Sequence, residues 1–169
     1  MSDCTNLELA VKQIEFARQY TLTLLDGLTD EQWFAQPAEG ITHVAWQVGH
    51  LAMAQYGLCL FRVRGRSADD TQLMSSRFRK QFSRGSRPNP VAEENPKPEE
   101  IRTVLQRVHE QAMREFSDYD DASLSDPVEE PYAVYANKLG ALFFCAHHEM
   151  LHAGQIGLLR RTLGCEPIR

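Results

Sequence analysis

Apolar residues return every three or four positions along four long stretches of this chain, and polar or turn-forming residues fill the intervals between them. Thr5 with Glu8 three residues later forms a capping box. Leu7, Val11, Ile14, Thr21, Leu25 and Leu28, with Ala10, Ala17 and Leu24 beside them, then predict a first helix over 6–28. Thr29 and Gln32 repeat the box and open a short helical turn, which Pro37 and Gly40 close. Thr42 is the expected cap of a second long helix. Val44, Ala45, Val48, Leu51, Ala52, Leu58 and Phe61 give that helix a broad apolar face ending near Gly65.

Residues 67–98 form a long connection carrying Pro88, Pro90, Pro96 and Pro98, with one helical piece expected around 72–81. Pro98-Glu99-Glu100 suits a helix start, and Ile101, Leu105, Val108, Ala112 and Phe116 define the third long helix. The acidic, turn-rich stretch 118–131 precedes a fourth helix over 139–163, with Gly164 as its C-cap and Pro167 beyond. No strand pairing pattern or internal repeat occurs. The fold expected is all-α, a four-helix bundle in a single domain over residues 1–169.

With 43% hydrophobic residues, the chain can bury a core without disulfides. Cys4, Cys59, Cys145 and Cys165 are far apart and make no C-x-x-C pair, so reduced thiols are expected. The stretch from Leu139 to Leu151 is too short and too polar to span a bilayer. The first residues lack the basic start and apolar run of a secretory signal, so the expected location is cytoplasmic. A net charge of -5 argues against general nucleic-acid binding. Arg62, Arg64, Arg66, Arg77, Arg79, Lys80, Arg84 and Arg87 nonetheless make one locally cationic stretch. It reads either as a solvated loop surface or as a cleft edge that attracts an anionic small molecule.

The chemistry sits on the helices. His148 and His152 are four apart, so both imidazoles leave one helix face and can chelate one ion. His50 stands among apolar residues in mid-helix, where an unpaired histidine is costly to bury. In a bundle, facing helices can bring these three side chains to one point, leaving coordination positions open. Spacing alone leaves equally open that His50 is a hydrogen-bonded core histidine and that the pair is incidental. His43 is two turns from His50, His147 points a quarter turn from His148, and His109 falls on the polar side of its helix; none of the three is expected to be a ligand. Cys145, one turn before His148, is the residue that could change the set. His148 to His152 also satisfies H-E-x-x-H, with Glu149 as the general base of a metalloprotease. The extended protease motif fails at Gln155 and Leu158, and no edge strand is expected. Gln155 is the expected hydrogen-bond partner of the site, whereas Trp46 and Met53 read as core packing beside His50.

The segments LTDEQWFAQPAEGITHVAWQVGHLA (residues 28–52) and HEMLHAGQIGLLRRTLG (residues 148–164) resemble the DinB-like and YfiT-like superfamily of metal-binding four-helix bundles. The first ends in its G-H-L/V-type motif at His50, and the second carries its H-x-x-x-H-x-G-Q-I stretch at His148 and His152. The resemblance implies an up-down-down-up bundle with a long crossover and a divalent ion, zinc or nickel foremost, at the three histidines. It also implies a metal-dependent enzyme, foremost a thiol-dependent S-transferase; the alternatives are a non-catalytic metal or small-ligand binding protein and a metal-dependent hydrolase. The partners expected are a small-molecule substrate, in particular a low-molecular-weight thiol, and a second copy of the chain as a homodimer, with no nucleic acid and no membrane.

Overall fold

The structure is a computed structural model that describes residues 4–128 and 136–168. Its first helix, α1 (Asn6–Leu25), opens with the expected capping box: the Thr5 hydroxyl accepts from the Glu8 N–H, and the Glu8 carboxylate accepts from the Thr5 N–H. The Thr29–Gln32 box opens α2 (Asp30–Phe34) in the same way. α1 stops three residues sooner than the apolar period suggested, because Asp26 leaves helical conformation.

The cap of α3 (Val44–Gln55) is His43 and not the expected Thr42: the His43 Nδ1 accepts from the Trp46 N–H, and its ring is fully buried. α3 continues without a break into a π-helical turn, Tyr56–Phe61, and a last α-helical turn, α4 (Arg62–Arg64), ending at Gly65. The π turn was not legible in the apolar period. The crossover holds two short helices where one was expected, α5 (Asp70–Leu73) and α6 (Ser76–Gln81), and a 3-10 turn, Ala92–Glu94. Pro98 takes the first turn of α7 (Pro98–Phe116) as expected, and α8 (Lys138–Thr162) ends before Gly164, whose φ is 81°. Within the expected turn-rich stretch, the described part holds a 3-10 turn, Ser123–Ser125, and an isolated bridge between Pro127 and Asn137; residues 129–131 lie outside the described residues.

α1 packs along α8, and α3 packs against both α7 and α8. Cross-helix bonds give the directions. Arg18 reaches Glu149 and Arg160 reaches Leu24, so α1 and α8 run parallel; Gln47 meets His152 and His50 packs beside His148, so α3 runs against α8. Arg102 bonds to Leu25 and Asp121 to Leu7, which sets α7 against α1. The result is an up-down-down-up bundle, and its two parallel central helices are what require the long crossover. Arg64 anchors the start of that crossover, with hydrogen bonds to both Asp70 and Glu115.

A charged pair sits inside the bundle. Arg18 and Glu149 are 2.7 Å apart with side-chain exposures of 3% and 2%. Arg18 Nη2 also donates to Glu149 Oε2 and to Gln55 Oε1, and Nη1 donates to the Leu105 carbonyl. Gln55 Nε2 in turn donates to His109 Nδ1. One guanidinium thus ties α1, α3, α7 and α8 together. His109 is half-buried rather than on the polar side expected, because it lies one turn from Leu105 on the flank of the core face. Burial, reinforced by the nearby Arg18 charge, pushes its pKa down to about 4.

Removing one partner of such a pair leaves an uncompensated buried charge, so Glu149→Ala is expected to cost about 3–5 kcal/mol. The Arg18→Met, Glu149→Leu double variant should recover most of that loss, and denaturant midpoints of the three proteins measure both. The His109 shift carries a pH signature as well. Between its ordinary pKa of about 6.5 and its folded value near 4, the unfolded chain binds a proton that the folded chain refuses. This contribution to stability is therefore full above about 6.5 and is lost as the pH falls toward 4. His109→Gln should flatten part of the wild-type decline over that window in urea titrations of the metal-free chain.

Candidate metal centre

α3 and α8 cross where His50 faces His148 and His152. The three offer ring nitrogens within 4.8 Å of one another, and they are the group of that kind found among the described residues. His50 is buried, and its Nδ1 donates to the Phe82 carbonyl at 2.8 Å. A carbonyl oxygen only accepts, so Nδ1 carries the proton and the lone pair is on Nε2. The His152 Nδ1 meets the Gln47 side-chain oxygen in a short hydrogen bond, which fixes the same tautomer. Gln47 Nε2 is held in turn by the Thr42 hydroxyl at 2.9 Å. The Nε2 atoms of His148 and His152 are 3.2 Å apart. Two ligands at about 2.1 Å from one ion, at angles between octahedral and tetrahedral, stand roughly 3.0–3.4 Å apart, so this pair has the spacing of a chelate.

The electrostatics agree with the geometry. Burial lowers the pKa of all three rings, against the Phe82 hydrogen bond in the case of His50, and the neighbouring rings add to the effect for the other two, taking His148 to about 4 and His152 to about 3. The imidazoles are neutral at pH 7, which is the form that ligates. With Nδ1 committed on His50 and His152, one proton on His148 Nε2 can bridge to His152, and a cation takes the place of that proton. The donor set fits a divalent transition-metal ion.

The supporting residues explain why the rings stand as they do. Trp46 stacks on His50 with centroids 4.8 Å apart and planes 5° from parallel, and its Nε1 donates to Ser86. Phe82 can bring its carbonyl to His50 because residue 49 is glycine: a Cβ there would sit 2.5 Å from the Phe82 ring. The glycine of the G-H-L motif thus makes room for the group that orients the histidine beside it.

The structure brings together His50, His148 and His152, the three histidines expected from the sequence, and gives Gln155, their expected hydrogen-bond partner, a different place. Gln155 is exposed, and Gln47, on the facing helix, is the hydrogen-bond partner instead. The available signal was position: Gln47 precedes His50 by one turn on the same helix face. Trp46 does more than fill the core, and Met53 lines the cleft. His43 and His109 have structural partners elsewhere, and His147 is exposed. Cys145 is buried beside Cys59, whose thiol burial and this neighbour push well above its usual range. Glu149, one residue after His148, points into the bundle and gives both oxygens to Arg18.

A cleft of about 530 Å³ opens on His50 and His148, walled by Met53, Leu58 and Phe144, with Arg62 and Arg84 also lining it. No helix among the described residues is long and apolar enough to cross a membrane.

A bundle of this topology with three histidines on facing helices defines a class. The chain belongs to the DinB superfamily, whose family model matches residues 13–156. It is also similar in fold to a conserved protein of Enterococcus faecalis, at a TM-score of 0.72 and 15% identity, covering 93% of this chain and 96% of that one. No curated protein matches the chain.

His148→Ala and His152→Ala are expected to lose stoichiometric zinc, whereas His43→Ala and His109→Ala retain it. Gln47→Ala should weaken binding by about 10–100-fold, the usual effect of removing a group that orients a ligand. Gly49→Ala should weaken it as well, through displacement of Phe82. Calorimetric titration of each metal-free variant measures the series, and retention of zinc by both α8 variants would contradict the ligand set.

Proposed function

We propose that this chain is a metal-dependent enzyme that uses a divalent ion at His50, His148 and His152, and that its reaction is the transfer of a low-molecular-weight thiol to an electrophile. One observation carries the reading: the three imidazoles converge, two of them, His50 and His148, lining a cleft, while the Nδ1 atoms of His50 and His152 are committed to Phe82 and Gln47. A divalent ion, when bound, supplies Lewis acidity that brings loss of a thiol proton into the neutral range.

The rest is done by the chain. Phe82 and Gln47 hold the rings of His50 and His152 at fixed tautomers, so only the proton on His148 Nε2 has to move on loading. Met53, Leu58 and Phe144 keep water from one side of the cleft and accept the apolar part of a substrate. The thiol sulfur forms a bond to the electrophilic carbon, the leaving group departs with its electron pair, and the thiol proton passes to solvent. Among the described residues lining the cleft, none is a carboxylate that would take it.

The hydrolase alternative, with Glu149 as general base, is not favoured, since both of its oxygens are occupied by Arg18. A binding protein without turnover remains the competing outcome, and kinetics separate the two. Chain purified without an affinity tag and loaded with zinc or nickel is incubated with a panel of thiols and 1-chloro-2,4-dinitrobenzene. The expected rate depends on the ion, saturates with one thiol, and falls to background in His50→Ala. Rates unchanged by chelation across the panel would favour the binding protein.

A further inference from the structure

The π turn inside the second long helix places a cation in the cleft. His50 and Gly57 are seven residues apart, so they share a helix face within about 20°. In an unbroken α-helix, residue 62 would point about 120° away from His50. The π turn changes that. The Arg62 N–H bonds to the Gly57 carbonyl, an i+5 connection that wraps the chain back on itself. Arg62 Nη1 then lies 3.9 Å from where a Gly57 Cβ would be, so the guanidinium reaches over the space left by the missing side chain. Arg84, on the loop that follows Phe82, lines the same cleft. Two guanidinium groups from separate segments and an apolar wall of Met53, Leu58 and Phe144 therefore share one cavity with His50 and His148.

We propose that this cleft takes an apolar organic anion, its carboxylate or equivalent compact anionic group held by Arg62 and Arg84 and its other end directed at His50 and His148. The π turn is the device that brings Arg62 into place. A guanidinium offers five N–H donors in a planar fork, so one that already has a protein partner retains donors for a carboxylate. The apolar wall sets the body of the ligand and the two cations set its charge. This deepens the reading of the same site given above, and rests on it only for the direction of the ligand's far end.

The test uses the full chain, first free of zinc, so that a carboxylate cannot bind the ion directly. 3-Phenylpropanoate, 3-phenylpropan-1-ol and inorganic phosphate are titrated, with the methyl resonance of Met53 and the ring resonances of Phe144 reporting occupancy. The acid should bind at the cleft at least about tenfold more tightly than the alcohol, the scale of a charge-assisted hydrogen bond. Arg62→Gln and Arg84→Gln should each weaken the acid several-fold and leave the alcohol unchanged. Arg84 is exposed on a loop, so its substitution does not threaten the fold, and circular dichroism checks Arg62→Gln. Equal binding of acid and alcohol, or acid binding indifferent to both substitutions, overturns the proposal. Phosphate binding as tight as that of the acid overturns the organic-anion assignment, because the apolar wall would then contribute nothing. Repeating the titration after zinc addition separates the two readings: a chain that takes up no zinc yet keeps the arginine dependence contradicts the metal reading alone.

Discussion

Arg18 carries a full charge in the middle of a helical bundle, and the interior around it gives each of its three side-chain nitrogens a partner. Isolated, a buried guanidinium would cost several kcal/mol of lost hydration. Glu149 supplies the opposite charge, Gln55 and the Leu105 carbonyl take donors, and His109 takes the amide that Gln55 has left. Because Arg18 and these partners together lie on all four long helices, the network permits one register of α1, α3, α7 and α8 and penalises slippage of any of them. That register sets His148 and His152 against His50.

The histidine cluster obeys the same rule on a neighbouring face. α8 sends Glu149 into the centre of the bundle, and its neighbours His148 and His152 go toward α3. Each ring that faces the common point on an assigned nitrogen has its other nitrogen satisfied first, His50 by Phe82 and His152 by Gln47. Low polarity then keeps the rings neutral, so burial and ligand capacity have one cause. The arrangement also explains two small residues of the chain. Gly49 admits the Phe82 ring that fixes His50, and Gly57 leaves the recess over which Arg62 folds.

Much of this was legible in the sequence because it depends on local rules. Two capping boxes, Pro98 and Gly164 marked helix ends, and the apolar period marked the four long helices. Helical spacing put His148 and His152 on one face, and resemblance to the DinB superfamily joined them to His50. What was not legible depends on contacts across helices. The H-E-x-x-H string suggested a base at Glu149, yet only the packing of α1 reveals that Arg18 occupies it. Gln155 lies three residues beyond His152 along α8, whereas the amide that reaches His152 is Gln47 on the opposing helix. Nor did the apolar period record the π turn: Phe61, expected on the core face with Leu58, is exposed, while Leu58 and Leu60 are buried.

The central claim is that three imidazole nitrogens, and no sulfur, hold one divalent ion between α3 and α8. X-ray absorption of the zinc-loaded chain addresses the ligand set atom by atom. The account expects three imidazole nitrogens at about 2.0–2.1 Å, with light-atom scatterers filling the remaining positions. A sulfur scatterer at about 2.3 Å, which would bring Cys145 into the site, or an outer shell containing fewer than three imidazoles, would contradict it.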